Sequence, residues 1–114
     1  YETHLYPHRC LKHMGELTDD ELRPMMIALK RMLRTYRNYY ERPFPYMMAF
    51  HQAPPHGDAG SGTHLHIELY PIRRSREKLK FRAGCETGAG LFINDSYPEE
   101  KAAELRTLLA EAED

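Results

Sequence analysis

The chain has 114 residues, 41% hydrophobic and 29% charged, with sixteen Lys and Arg against seventeen Asp and Glu for a net charge of −1. That is the make-up of one folded domain able to bury a core, not of a disordered segment. The near-neutral balance argues against a surface wholly given to nucleic acid or anionic lipid, and no apolar run approaches a membrane-spanning length.

The opening Tyr1-Glu2-Thr3-His4 has no initiator Met and no signal-peptide profile, which predicts a portion or processed product of a longer chain. Tyr1 to Tyr6 alternate as a strand and stop at Pro7. Thr18 with Glu21 three positions on is a capping box that opens a helix, and Asp19 and Asp20 suit its first turn. Leu22, Met25, Met26, Leu29, Leu33, Tyr36 and Tyr40 follow at helical spacing as one apolar face. Pro24 predicts a kink or a later true start, and the methionines read as core filler.

Pro43 and Pro45 end that helix and introduce a strand, Tyr46 to His51. Ala53 to Gly62 is a loop by composition, Thr63 to Tyr70 a strand that stops at Pro71, and Leu79 to Cys85 a further strand. A glycine-rich turn through Gly88 and Gly90 follows. Ser96 with Glu99 predicts a second capping box, with Pro98 in the first turn and Leu105, Leu108, Leu109 and Ala112 as the stripe of a closing helix. Strands with two dissimilar helices and no βαβ rhythm predict an α+β domain with an antiparallel sheet over residues 1–114.

Seven His in so short a chain direct attention to His64-Leu65-His66-Ile67-Glu68. Residues two apart on a strand share a face, so His64, His66 and Glu68 project together, and His51 can meet them from the neighbouring strand. Imidazoles and a carboxylate so placed suit a divalent metal, zinc or iron; the bland reading is a solvated His-rich sheet face. The run Arg73 to Arg82 carries six positive charges and one negative, a solvated edge or an anion site. Gly84-Cys85-Glu86-Thr87-Gly88-Ala89-Gly90 lacks the Gly-Lys-Ser/Thr of a phosphate loop, and no helix is expected after it. Its glycines read as a tight turn or a close approach of a ligand rather than a nucleotide cradle. Cys10 and Cys85 have no C-x-x-C spacing and fit a reducing, cytoplasmic setting.

Three stretches in order, Phe44-Pro45-Tyr46 to His51-Gln52-Ala53-Pro54, His64 to Pro71, and Lys80 to Glu86, resemble the C-terminal half of the bacterial-type galactose-1-phosphate uridylyltransferases. Tyr1-Glu2-Thr3 and Phe92-Ile93-Asn94-Asp95 extend the likeness nearly end to end. The resemblance implies a histidine-triad-like fold, two copies of which make the full enzyme, here without the hairpin that precedes the first strand. It implies exchange of a uridylyl group between UDP-glucose and galactose 1-phosphate through a uridylyl-histidine. The family's nucleophile lies in a His-Pro-His-Gln motif of the other half, and no His-Pro-His occurs in these residues, so no catalytic nucleophile is expected here.

By the same resemblance His51, His66 and the third triad position hold a metal. Glu68 stands where the family has His, with His64 in reserve. Lys80 would neutralise phosphate, Glu86 would accept from sugar hydroxyls, and Phe81, Ala83 and Cys85 would line the wall, reaching the partner subunit of a homodimer. The rival expectations are a stand-alone metal-binding or dimerisation module and a histidine-triad nucleotide hydrolase. The second is disfavoured because its nucleophile position needs a complete His-x-His-x-His. A sheet short of its first hairpin also predicts that the chain dimerises, swaps elements or needs further polypeptide.

Overall fold

A computed structural model describes residues 1–56, 63–94 and 96–112. The loop expected over Ala53 to Gly62 therefore lies partly outside the described residues, as does Asp95. In chain order the elements are β1 (Thr3–Leu5), α1 (Asp19–Asn38), β2 (Tyr46–His51), β3 (His66–Pro71), α2 (Gly84–Ala89) and α3 (Pro98–Glu111), with short 3-10 turns at Met14–Glu16 and Tyr39–Glu41. The fold is α+β, as the sequence predicts.

Helix α1 starts where the capping residues place it. The Glu21 carboxylate accepts from the Thr18 backbone N–H at 3.0 Å and from its hydroxyl at 3.1 Å, and it takes a two-pronged ion pair from Arg9 at 2.8 Å. The Arg9 bond, then the Thr18 backbone, hold the Glu21 carboxyl down at about 2. Pro24 neither delays nor breaks the helix, which runs on to Asn38. In the 3-10 turn that follows, Tyr40 and Glu41 have positive φ values of 60° and 51° and turn the chain toward Pro43.

The sheet has three strands in the order β1-β3-β2, all antiparallel. Central β3 alternates: Ile67 and Leu69 are fully buried, while His66 and Glu68 face the other way. Leu69 joins Tyr36, Tyr39 and Phe44 in the core, and Leu105 and Leu108 of α3 close over it. The apolar face of α1 sits accordingly: Met25 and Tyr36 are buried, whereas Leu22 at the start is exposed. The Tyr36 hydroxyl donates to the Tyr1 carbonyl at 2.7 Å, fastening β1 to the helix.

Two further expectations fail after β3. Leu79 to Cys85 is not a strand: a single bridge joins Leu79 to Arg73 across a turn, and Gly84 onward coils into α2. The cause is Glu86, whose carboxylate accepts the Ala83 N–H at 2.8 Å and so opens a helix that the glycines do not announce. Gly90, at φ 67°, ends it in the left-handed region. Nor does Ser96 cap α3. Pro98 takes the first helical position, so the residue before it is Tyr97, and the pairing of Ser96 with Glu99 is one residue out of register.

Candidate functional site

The outward face of the sheet gathers side chains from all three strands. On β3, His66 and Glu68 are two apart and share that face. On β2, His51 pairs directly with His66, and Ala49 sits opposite Glu68. The small alanine leaves Glu68 room to lean toward His51. On β1, His4 pairs opposite Glu68 from the other side.

The Glu68 carboxylate is the hub, with only 12% of its side chain exposed. One oxygen lies 2.9 Å from His66 Nε2, and the other lies 2.9 Å from His51 Nε2. Tyr70 donates its hydroxyl to the second oxygen. Burial pushes the Glu68 carboxyl up. The His66 contact and the imidazoles of His51, His4 and His66 outweigh that and hold it below its ordinary value. The rings stack as well: His66 lies against His51 at 4.7 Å between centroids and against Tyr6 at 4.8 Å.

Donor roles test whether a cation fits. His66 Nδ1 lies 2.7 Å from the His64 carbonyl oxygen, which can only accept, so Nδ1 carries the hydrogen. Nε2 of the neutral ring then bears a lone pair and faces a carboxylate oxygen 2.9 Å away. Two acceptors that close repel unless a proton or a metal ion lies between them. His51, His66 and Glu68 each offer one ligand atom, all within 4.8 Å of one another. Two imidazoles and a carboxylate are a donor set suited to a first-row divalent metal, with His66 oriented by the His64 carbonyl. The three residues fit a metal ion.

His64 does not join them. The strand begins only at His66, and the His64 ring turns to the Arg9 carbonyl, 3.3 Å from Nε2. His4 is the residue that sequence reasoning missed. Alternation along Tyr1 to Tyr6 puts Glu2, His4 and Tyr6 on one face, but nothing local says that β1 pairs with β3 or in which register.

The second group of predicted residues lies on the segment after β3. Lys80 and Glu86 meet each other, Nζ to Oε1 at 2.9 Å, and the Glu86 side chain is fully buried. Glu86 also accepts from the backbone N–H of Ile93 at 3.0 Å. The Ile93 bond, then Lys80, then the Ala83 N–H hold its carboxyl at about 2. Phe81 projects with 83% of its surface exposed, Cys85 is an exposed free thiol, and Ala83 is half-buried. Lys80 and Arg82 both lie over the Phe92 ring, at 5.8 and 5.6 Å. Among the described residues no helix is long and apolar enough to cross a membrane.

The chain as a whole is similar to known proteins. Residues 1–113 match the family model of the galactose-1-phosphate uridyl transferase C-terminal domain. The galactose-1-phosphate uridylyltransferase of Thermotoga maritima is 40% identical over 107 residues, 93% of this chain and 34% of that protein. That of Haemophilus influenzae is 36% identical over 109 residues, 95% of this chain and 31% of that protein. A solved uridylyltransferase structure superimposes with a TM-score of 0.87 at 41% identity, covering 96% of this chain and 35% of that one. The chain spans about a third of the length of these relatives.

Proposed function

Because the chain belongs to the galactose-1-phosphate uridylyltransferase family, matching its C-terminal domain, we propose that it serves a nucleotidyltransferase that moves a uridylyl group between UDP-glucose and galactose 1-phosphate. In this reading residues 1–114 form one histidine-triad-like domain. They supply a metal site and sugar-phosphate contacts, and the histidine nucleophile comes from outside these residues. The observation that carries the reading is the family match over residues 1–113. The nearness of His51, His66 and Glu68 on one sheet face supports its metal site.

The metal is zinc or iron, held by His51, His66 and Glu68, with no part assigned to His64. A bound ion there supplies positive charge that ties β2 to β3. The residues themselves do the rest: the His64 carbonyl orients His66, and Tyr70 orients Glu68. Lys80 and Glu86 serve the sugar nucleotide of a partner subunit in a homodimer, in the cytoplasm. Support for that role is chemical, a cation and a carboxylate beside exposed Phe81. To meet a ligand they would exchange their mutual ion pair for it.

The test is isotope exchange. Residues 1–114 alone, incubated with UDP-glucose and labelled galactose 1-phosphate, yield neither exchange nor a uridylylated protein. Joined to a segment carrying the His-Pro-His-Gln nucleophile, they support exchange. A uridylyl adduct on any of the seven His, or no exchange from the joined protein, would overturn the reading.

A further inference from the structure

The geometry points to His4 as a ligand of the same metal ion, so that β1, β2 and β3 each contribute a donor and the site takes four protein ligands from this chain. The inference rests on the metal reading of His51, His66 and Glu68 and goes beyond it.

Register comes first. His4 sits directly opposite Glu68, on the flank away from Ala49 and His51, so Glu68 has an imidazole on both sides. The second observation is the tautomer. His4 Nε2 lies 2.7 Å from the Glu2 carboxylate, which accepts and so leaves the ring hydrogen on Nε2. A carboxylate bonded to the far nitrogen is the usual partner of a metal-bound histidine, because it fixes the ring and raises the basicity of the near nitrogen. His66 is oriented the same way by a different acceptor, the His64 carbonyl.

Third is the direction of the lone pair. His4 Nδ1 faces the same Glu68 oxygen that His66 Nε2 faces, at 3.7 Å. That separation is too long for a hydrogen bond and both atoms are acceptors. About 3.3 Å separates neighbouring ligand atoms in a tetrahedral zinc site with Zn–N of about 2.0–2.1 Å. Measured to Glu68, Nδ1 therefore stands a few tenths of an ångström from a ligand's spacing. It has further to close on His51 and His66, whose ligand atoms group with Glu68 within 4.8 Å without it. Its present partner is the Tyr6 hydroxyl at 3.3 Å, a long bond at an exposed position that a metal ion displaces at little cost. The His4 and His66 rings lie side by side on this face, 6.1 Å apart between centroids and within 26° of parallel, so a common ion requires the His4 ring to tilt toward His66.

The experiment uses the full chain, stripped of metal and titrated with Co2+ alone and with Zn2+ alone. The unsubstituted chain gives the intense visible band of four-coordinate Co2+. His4→Ala weakens both metals by more than about 100-fold, beyond what loss of an outer partner costs, and alters the band. Glu2→Gln keeps an acceptor for Nε2 and costs about tenfold with the band unchanged. Far-UV circular dichroism and melting in chelator are to match among the variants, since His4 lies on an exposed edge strand. Should His4→Ala misfold, the nitrogen chemical shift of His4 Nδ1 in the unsubstituted chain decides: Zn2+ moves it if Nδ1 is a ligand. An unmoved Nδ1, or a His4→Ala chain with unchanged affinity and spectrum while His66→Ala loses Co2+, overturns the His4 assignment and spares the metal reading. Failure of the unsubstituted chain to take up either metal overturns both.

Discussion

The sheet and the segment from Leu79 to Asn94 are held by opposite means. Behind the sheet, Leu65, Ile67 and Leu69 are at most 1% exposed, so β3 stands on apolar packing against α1. The later segment instead shows Phe81, Leu91 and Phe92 to solvent, and its shape comes from one buried carboxylate, Glu86, that gathers two backbone N–H groups and Lys80. The two carboxylates differ in the same sense. Glu86 is surrounded by donors, two of them backbone N–H groups, and has only its Lys80 contact to exchange. Glu68 is surrounded by imidazoles, one of which already spends a ring N–H on the His64 carbonyl, so a proton or a metal ion has to lie between it and the carboxylate. A carboxylate's neighbours, more than its burial, decide whether it organises backbone or attracts a cation.

The strongest way to break this contrast is Leu69→Ala. Truncating a fully buried leucine in a central strand costs about 2–5 kcal/mol, and the whole chain is expected to melt at lower temperature in one transition. A melt in which only residues after Leu79 change would refute it. Metal addition sharpens the contrast next. Zn2+ at 100 times its dissociation constant stabilises the fold by about 2.7 kcal/mol. Hydrogen exchange should slow at amides of β2 and β3, with the Ala83 and Ile93 amides unaffected in their local opening. Equal slowing at both places would show that the regions are one unit.

Glu86→Ala is the reciprocal change. It leaves the Ala83 and Ile93 amides without their acceptor, and their exchange is expected to quicken by about tenfold or more while Co2+ uptake stays as in the unsubstituted chain. Loss of metal uptake would join what the structure keeps apart. Acid gives the smallest effect. The Glu86 carboxyl is depressed in the folded chain to about 2 from an ordinary 4.5, so its contribution is full above 4.5 and is lost as pH falls toward 2. Exchange at Ile93, corrected for intrinsic rates, should rise over that window, and Glu86→Gln should flatten the rise. A midpoint near neutral pH would exclude Glu86 as the hub.

What a sequence discloses here follows the range of each interaction. Thr18 and Glu21 cap a helix within three residues, so the start of α1 is readable despite Pro24. The alternation of His66, Ile67, Glu68 and Leu69 is likewise local, and both faces of β3 emerge as expected. His51 is foreseeable because β2 is the neighbouring strand in sequence and pairs with β3. His4 is not, since its register with Glu68 depends on closing a loop of more than sixty residues. The strand expected at Leu79 to Cys85 fails for a different reason. An alanine at the head of a helix offers no side-chain signal, and the capping arm from Glu86 is visible only once Ala83 is known to precede a helix. His64 falls outside because backbone bonding, here the Leu65 N–H to the Leu11 carbonyl, draws the chain away one residue before the strand begins.

The strand order has a consequence for the chain's birth. A ribosome adding about 5–20 residues per second makes Thr3 several seconds before its partner Leu69. During that interval Tyr1 to Tyr6 lack β3, the strand they pair with among the described residues. Their first shelter is the Tyr36 hydroxyl, which binds Tyr1 and Thr3 and is synthesised midway through the wait. Tyr36→Phe should therefore lower the yield of soluble product more at fast, crowded expression than its effect on the finished fold would suggest, and slowing synthesis should recover it.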